Sequence, residues 1–232
     1  MRKSFLAAAT VATIALTGQA SAAMTSFYLN QSNVSILPDG TNYLLLTILD
    51  GADAVGRVIN GYTSVAGDVV FELQTLPALS QYAQDKYGLD EFAFNTTMNL
   101  GQFGASNFKG LPANWSVGMG SQNADGFGKF ELLPGTNGAN NLADPLFFAI
   151  GGITADSASS YQELASGNAG QGNYYFAAHV INFQVPGDSA HTTSAWFGGN
   201  ELATVPLPAA AWLLLSGLAT VGGFVRRRAS AS

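Results

Sequence analysis

The chain of 232 residues contains no cysteine. That excludes disulfides, thiol nucleophiles, cysteine-ligated zinc and iron–sulfur clusters. A domain of the size this chain allows can fold without cross-links. Histidine is almost as scarce, with only His179 and His191. There is no Gly-x-Ser-x-Gly elbow and no His-Glu-x-x-His helix, so the local signatures of α/β-hydrolases and zinc proteases are missing. Positive charge is short as well. Of nine basic residues, Arg2, Lys3, Arg226, Arg227 and Arg228 stand in the terminal segments, which leaves Arg57, Lys86, Lys109 and Lys129 for the middle. All fifteen acidic residues lie between residues 23 and 204, and four against fifteen gives that region a formal charge of −11. A surface this acidic repels phosphate backbones, which argues against nucleic acid as a partner and suits saline or calcium-rich surroundings.

Long uncharged apolar runs are confined to the two ends. Arg2 and Lys3 precede the apolar stretch Phe5 to Leu16, and Ala20-Ser21-Ala22 supplies small residues for cleavage. This three-part anatomy marks residues 1–22 as a secretory signal peptide, cut after Ala22, with Ala23 as the nearest alternative. At the other end, the 21 residues from Val205 to Val225 carry no charge. A helix needs ~20 apolar residues to cross a bilayer, so one membrane helix is expected at about 207–225. Arg226, Arg227 and Arg228 follow it and orient that end to the cytoplasm, so whatever precedes Val205 faces outward. Pro206 and Pro208 lack an N–H and hold their neighbours extended, a form in which a protease can bind the chain.

The order proline pair, helix, basic cluster resembles the PEP-CTERM sorting signal of Gram-negative bacteria. The match is to the variant reading VPLPA, here Val205, Pro206, Leu207, Pro208 and Ala209, with Trp212 and Gly217 inside the helix. The resemblance implies recognition by exosortase, a membrane-embedded protease. It implies cleavage near the motif and passage to the cell surface or extracellular matrix. The bland alternative is an ordinary C-terminal membrane anchor. Residues 205–232 form the tail on this reading, and 23–204 form one extracytoplasmic domain.

Within that domain the apolar period is two. Strands are expected at Tyr43 to Leu49, Asp68 to Leu76, Glu91 to Thr96, Trp115 to Met119, Phe127 to Leu132, Leu146 to Ile150, Tyr174 to Val185 and Ser194 to Phe197. Phe27 to Asn30 adds a candidate edge strand, and Ser80 to Tyr87 is the one expected helix. Turn signals separate the strands, as at Pro134-Gly135-Thr136-Asn137-Gly138. Short strands with Gly/Asn loops predict an all-β fold, an antiparallel β-sandwich of jelly-roll type. Four phrases look like strand-and-turn landmarks of the exported domains that bear such tails: Phe92 to Asn95, Asp125 to Phe130, Phe176 to Val180 and Ser194 to Gly199. Their expected job is core packing, with Gly126 and Gly128 aiming the Phe127 ring inward.

Chemistry-bearing constellations are sparse. Asp188-Ser189-Ala190-His191 crowds three triad residue types together, yet a triad is assembled in space and not by crowding. Glu72 and Glu131 lie in expected strands that could be neighbours, and a glycosidase needs two carboxylates ~5–10 Å apart. Asp50 and Asp53 bracket a turn and are candidate calcium ligands, against the plainer reading of a solvated turn. Two function classes follow. One is a non-enzymatic surface or matrix protein associated with biofilm exopolysaccharide, without a cofactor unless calcium binds. The other is an envelope-anchored carbohydrate-binding module, which requires Tyr161, Tyr174, Tyr175 or Trp196 to stand exposed on a sheet face.

Overall fold

The computed structural model describes residues 24–136 and 141–203. In chain order the strands are β1 (Met24–Leu29), β2 (Gln31–Ser32), β3 (Leu44–Leu49), β4 (Val58–Ile59), β5 (Tyr62–Thr63), β6 (Val69–Thr75), β7 (Ala83–Phe94), β8 (Phe108–Lys109), β9 (Trp115–Ala124), β10 (Gly128–Thr136), β11 (Leu146–Ile150), β12 (Phe176–Phe183), β13 (Ser194–Gly199) and β14 (Glu201–Leu202). Two single-turn helices, α1 (Gly51–Ala54) and α2 (Pro77–Ser80), punctuate them. One sheet has the order β14-β1-β3-β6-β11-β8 and the second β2-β13-β12-β7-β10-β9, while β4 and β5 form a separate hairpin. Every strand pairing among the described residues is antiparallel. The all-β architecture expected from the period-two pattern is present.

The two sheets face each other through phenylalanine. Alternation along β6 buries Val69, Phe71 and Leu73, and β7 contributes Phe92 and Phe94 from the other sheet. The Phe71 ring stacks on Phe148 of β11 at 4.7 Å and meets Phe94 across the interface at 5.2 Å. Such pairs contribute ~0.5–1.5 kcal/mol each beyond the burial of their area. Tyr161, fully buried, closes the cluster edge-on against Phe71.

Each sheet also carries a smaller core on its outer face. On the first sheet Leu49, Val70 and Ala149 pack under Ala54 of α1 and Ile59 of β4. On the second, Ala93, Ala177 and Trp196 pack under Phe127, Phe130 and Ala165. The Ala residues matter here, because small side chains on the sheet leave room for the rings laid over it.

Three expectations are corrected. Ser80 to Tyr87 is no helix: α2 ends at Ser80 and β7 begins at Ala83. β12 supplies a partner as far as Phe183↔Ala83, and strand pairing overrides the local preference of a Gln- and Ala-containing stretch. The turn expected from Pro134 begins later, since β10 runs through Thr136 with Pro134 opposite Val117 of β9. Finally, β1 is not the sheet edge, because β14 pairs outside it.

Candidate functional site

The four landmark phrases come together in the second sheet. Phe176 faces Phe94 and Gly199, Ala177 faces Ala93 and Gly198, and Ala178 faces Phe92 and Phe197. Phe92, Phe94, Phe176 and Phe197 enter the main core, and core packing is indeed what these phrases do. Phe127 is fully buried, with Gly126 and Gly128 at φ of 84° and 91° turning the chain around it. Its ring lies on the outer face of the second sheet, against Tyr174 at 5.7 Å, rather than between the sheets.

Further along that face stands a cluster of ionisable groups. His179 of β12 is opposite Glu91 of β7 and Trp196 of β13. Beyond this rung the β7–β12 register shifts, so that Leu89 faces Val180 and Asp90 is the extra residue. A bulge of this kind re-aims a side chain, and here it delivers a carboxylate beside the imidazole. His179 Nδ1 lies 2.8 Å from Asp90 Oδ1. The contact is not aligned as a hydrogen bond, and that oxygen is buried without a hydrogen-bond partner. The His179 ring stacks on Trp196 with centroids 5.1 Å apart. Burial and then the Asp90 charge push Glu91 above the usual carboxylate range, and His179 pulls it partly back. Glu91 also lines a small hollow with Ser116, Leu133 and Thr136. The arrangement sets two carboxylates beside one imidazole. No group of three His, Cys, Asp or Glu residues among the described residues is placed to hold a metal ion. His179 falls inside the strand expected over Tyr174 to Val185. Asp90 and Glu91 carry no site signal in the sequence, because the bulge that brings Asp90 to the imidazole exists only in the β7–β12 register.

The other candidates separate. Glu72 and Glu131 lie in different sheets, in β6 and β10, and do not face each other. Glu131 instead has Glu163 nearby, an exposed carboxyl raised by partial burial and by the Glu131 charge. Asp188 is the acceptor of a surface turn: Oδ1 takes the Ala190 N–H at 2.9 Å and Oδ2 the Thr192 N–H at 2.7 Å. Those bonds hold its carboxyl below the usual range, and the crowded Asp-Ser-Ala-His stretch is a loop. Asp50 Oδ2 accepts the Ala158 N–H at 2.8 Å, and Asp53 offers its backbone carbonyl to Arg57 Nε at 3.2 Å. Asp50 thus ties the connection between β3 and β4 to the segment before Tyr161.

The aromatics of the carbohydrate alternative are not exposed. Tyr161 is fully buried and its hydroxyl donates to Asp156 Oδ2. Trp196 is 7% exposed, and Tyr174 and Tyr175 pack against the cores. Ala20, Ala22, the motif Val205 to Ala209 and Arg226 to Arg228 lie outside the described residues. Among the described residues no helix is long and apolar enough to cross a membrane. No family model, curated protein or solved structure matches the chain.

Proposed function

We propose that this is an exported, non-enzymatic surface or extracellular-matrix protein. It passes through the general secretion machinery, is held in the inner membrane of a Gram-negative bacterium by its C-terminal helix, and is processed at Val205–Ala209 by an exosortase-type protease. Its matrix partner on this reading is exopolysaccharide. The observation that carries the reading is how near the last described strand comes to the proline motif. β14 ends at Leu202, the Ala203 N–H still donates to Ser26 O, and the proline motif begins at Val205. The last described strand therefore lies within a few residues of the segment that resembles a processing signal. Strand connectivity supports the jelly-roll-like form, since the chain changes sheets between β1, β2 and β3 and again between β6, β7 and β8.

The carbohydrate-module alternative needs a row of exposed rings, and the burial of Tyr161 and Trp196 favours the first reading over it. The test is mass spectrometry of the C-terminal peptide from native cells with and without the protease. A terminus near residues 205–209 that depends on the enzyme is the expected result. A tail intact through Ser232 in both strains overturns it in favour of a plain membrane anchor.

A further inference from the structure

The two large sheets have four edges, and three of them are strands of two residues: β2, β8 and β14. Edges this short offer little to another chain, and Lys109 and Glu201 add charge to two of them. The fourth is unlike the rest. β9 runs for ten residues, pairs with β10 alone among the described residues, and no residue from 110 to 124 is charged. Its Val117 and Met119 reach the main core and are still only half-buried.

Pairing with β10 fixes which backbone groups of β9 face out. Trp115, Val117 and Met119 stand opposite Thr136, Pro134 and Leu132. Proline has no N–H, so Val117–Pro134 is a non-bonded pair, and the N–H and C=O of Val117 turn away from β10. Trp115 and Met119, two residues to either side, share that phase. Two of these six outward groups are closed locally. The Trp115 N–H donates to Pro112 O at 3.1 Å, and Met119 O accepts from Gln122 Nε2 at 3.0 Å. The Trp115 C=O, both groups of Val117 and the Met119 N–H have no partner among the described residues.

We propose that β9 is a dimer interface, pairing antiparallel with β9 of a second copy about a two-fold axis at Val117. In that register Val117 meets the partner's Val117, and Trp115 meets the partner's Met119. The open groups then satisfy one another: Val117 N–H with Val117 C=O, and Met119 N–H with Trp115 C=O, each twice across the axis. The two closed groups, Trp115 N–H and Met119 C=O, fall opposite each other and need nothing. Moving the axis to Met119 breaks the match, because its open N–H would then face a C=O already taken. The pairing covers the half-buried Val117 and sets the Met119 sulfur against an indole ring, a favourable contact.

A second copy is the occupant on grounds of charge and position. Residues 23–204 carry a formal charge of −11, so two copies repel over most of their surfaces and least along an uncharged edge. The described chain begins in β1 and ends beside β14, at the β14 and β2 ends of the two sheets. β9 lies five strand spacings from β2, about 24 Å away. The edge is therefore on the side of the sandwich opposite to both ends of the described chain.

The absence of cysteine makes a single substitution informative in the full-length chain in detergent. In a bonded pair the Cα atoms lie ~5.5 Å apart, within the ~4.4–6.8 Å a disulfide spans, so Val117→Cys is expected to oxidise to a covalent dimer. Ser116→Cys, more exposed but diagonal to its own copy at ~7–8 Å, is expected to stay mostly monomeric on the same gel. Sedimentation of the parent is expected to show a dimer that strengthens from dilute buffer to 0.15 M NaCl. Val117→Pro removes an outward N–H and no bond to β10, so loss of the dimer with the β-sheet circular dichroism retained is expected. Ser116→Asp, at an exposed position, puts a carboxylate on each side of the axis and is expected to weaken the dimer several-fold. A parent that stays monomeric at every concentration and salt overturns the proposal, as it would if a segment of the same chain held the edge. Equal cross-linking through Ser116→Cys overturns the register. A dimer unchanged by both Val117→Pro and Ser116→Asp is held elsewhere and overturns the interface.

Discussion

At Gly199 the backbone of β13 passes so close to β1 that an added Cβ would sit 2.1 Å from Tyr28 O. The neighbouring Gly198 has no more room, since a Cβ there would meet the Phe127 ring at 2.4 Å. Overpacking of this kind costs ~1–3 kcal/mol, so Gly199→Ala and Gly198→Ala are each expected to lower the urea midpoint by that equivalent. Gly170, with nothing within 4 Å, is the control and its Ala variant is expected to stay within ~0.5 kcal/mol of the parent. The Asp156–Tyr161 pair gives a pH-dependent prediction. Burial raises the Asp156 carboxyl above 3.8, and the Tyr161 hydroxyl and Ser157 N–H oppose that rise by favouring the charged form. The folded state therefore holds this proton more tightly than the unfolded chain, and its contribution to stability falls as pH climbs from 3.8 through the raised value. Tyr161→Phe removes a donor that serves the ionised carboxylate. Its cost is expected to be ~1–2 kcal/mol near neutral pH and smaller below pH 3.8, where Asp156 is protonated. Urea melts at the two pH values check the sign; an equal cost at both would mean that the bond does not discriminate between the two forms.

Among the elements, the turn between β9 and β10 shows how a covering segment is held on a sheet. Phe127 is clamped over Gly198 by Gly126 and Gly128, and the 164–174 segment closes on it through Tyr174. Phe127→Ala is expected to raise amide exchange in residues 124–130 and 165–174, while β3 and β6, packed by the separate phenylalanine core, keep their protection. Uniform loss across all three would show that the outer core is not an independent unit. The same elements show what was legible beforehand. β3, β6, β11, β12 and β13 carry alternation strong enough to be placed within about two residues. The first half of β7 does not: Ala83 to Lys86 are all exposed, with no alternation to read, and only pairing with β12 makes them a strand. Two-residue strands such as β2, β8 and β14 are too short for any period. The Asp90–Glu91–His179 cluster was hidden for a related reason, because a bulge is a property of the register between two strands and neither sequence shows it alone.

On the scale of the whole molecule the dominant fact is charge. With four lysines and arginines for fifteen acidic residues between residues 23 and 204, at least eleven carboxylates have no lysine or arginine to pair with individually. Most fold onto backbone donors or solvent, as Asp188 and Asp50 do. Their mutual repulsion is long-ranged at low ionic strength and is screened within ~8 Å at 0.15 M salt. The protein is therefore expected to melt several degrees higher in 0.15 M NaCl than in dilute buffer, because compaction concentrates the negative charge that salt screens. Calcium can be set apart from this general effect by matching ionic strength. Asp50 already accepts the Ala158 N–H, so Asp53→Asn is the variant that tests ligation without removing a structural bond. A calcium ligand at this turn requires that CaCl2 raise the melting temperature beyond NaCl at equal ionic strength and that Asp53→Asn abolish the difference. Equal melting in the two salts would make the Asp50–Asp53 turn purely structural, and would leave the acidic surface as a solvating layer that keeps the domain apart from its copies and from anionic polymers until salt or a specific contact brings them together.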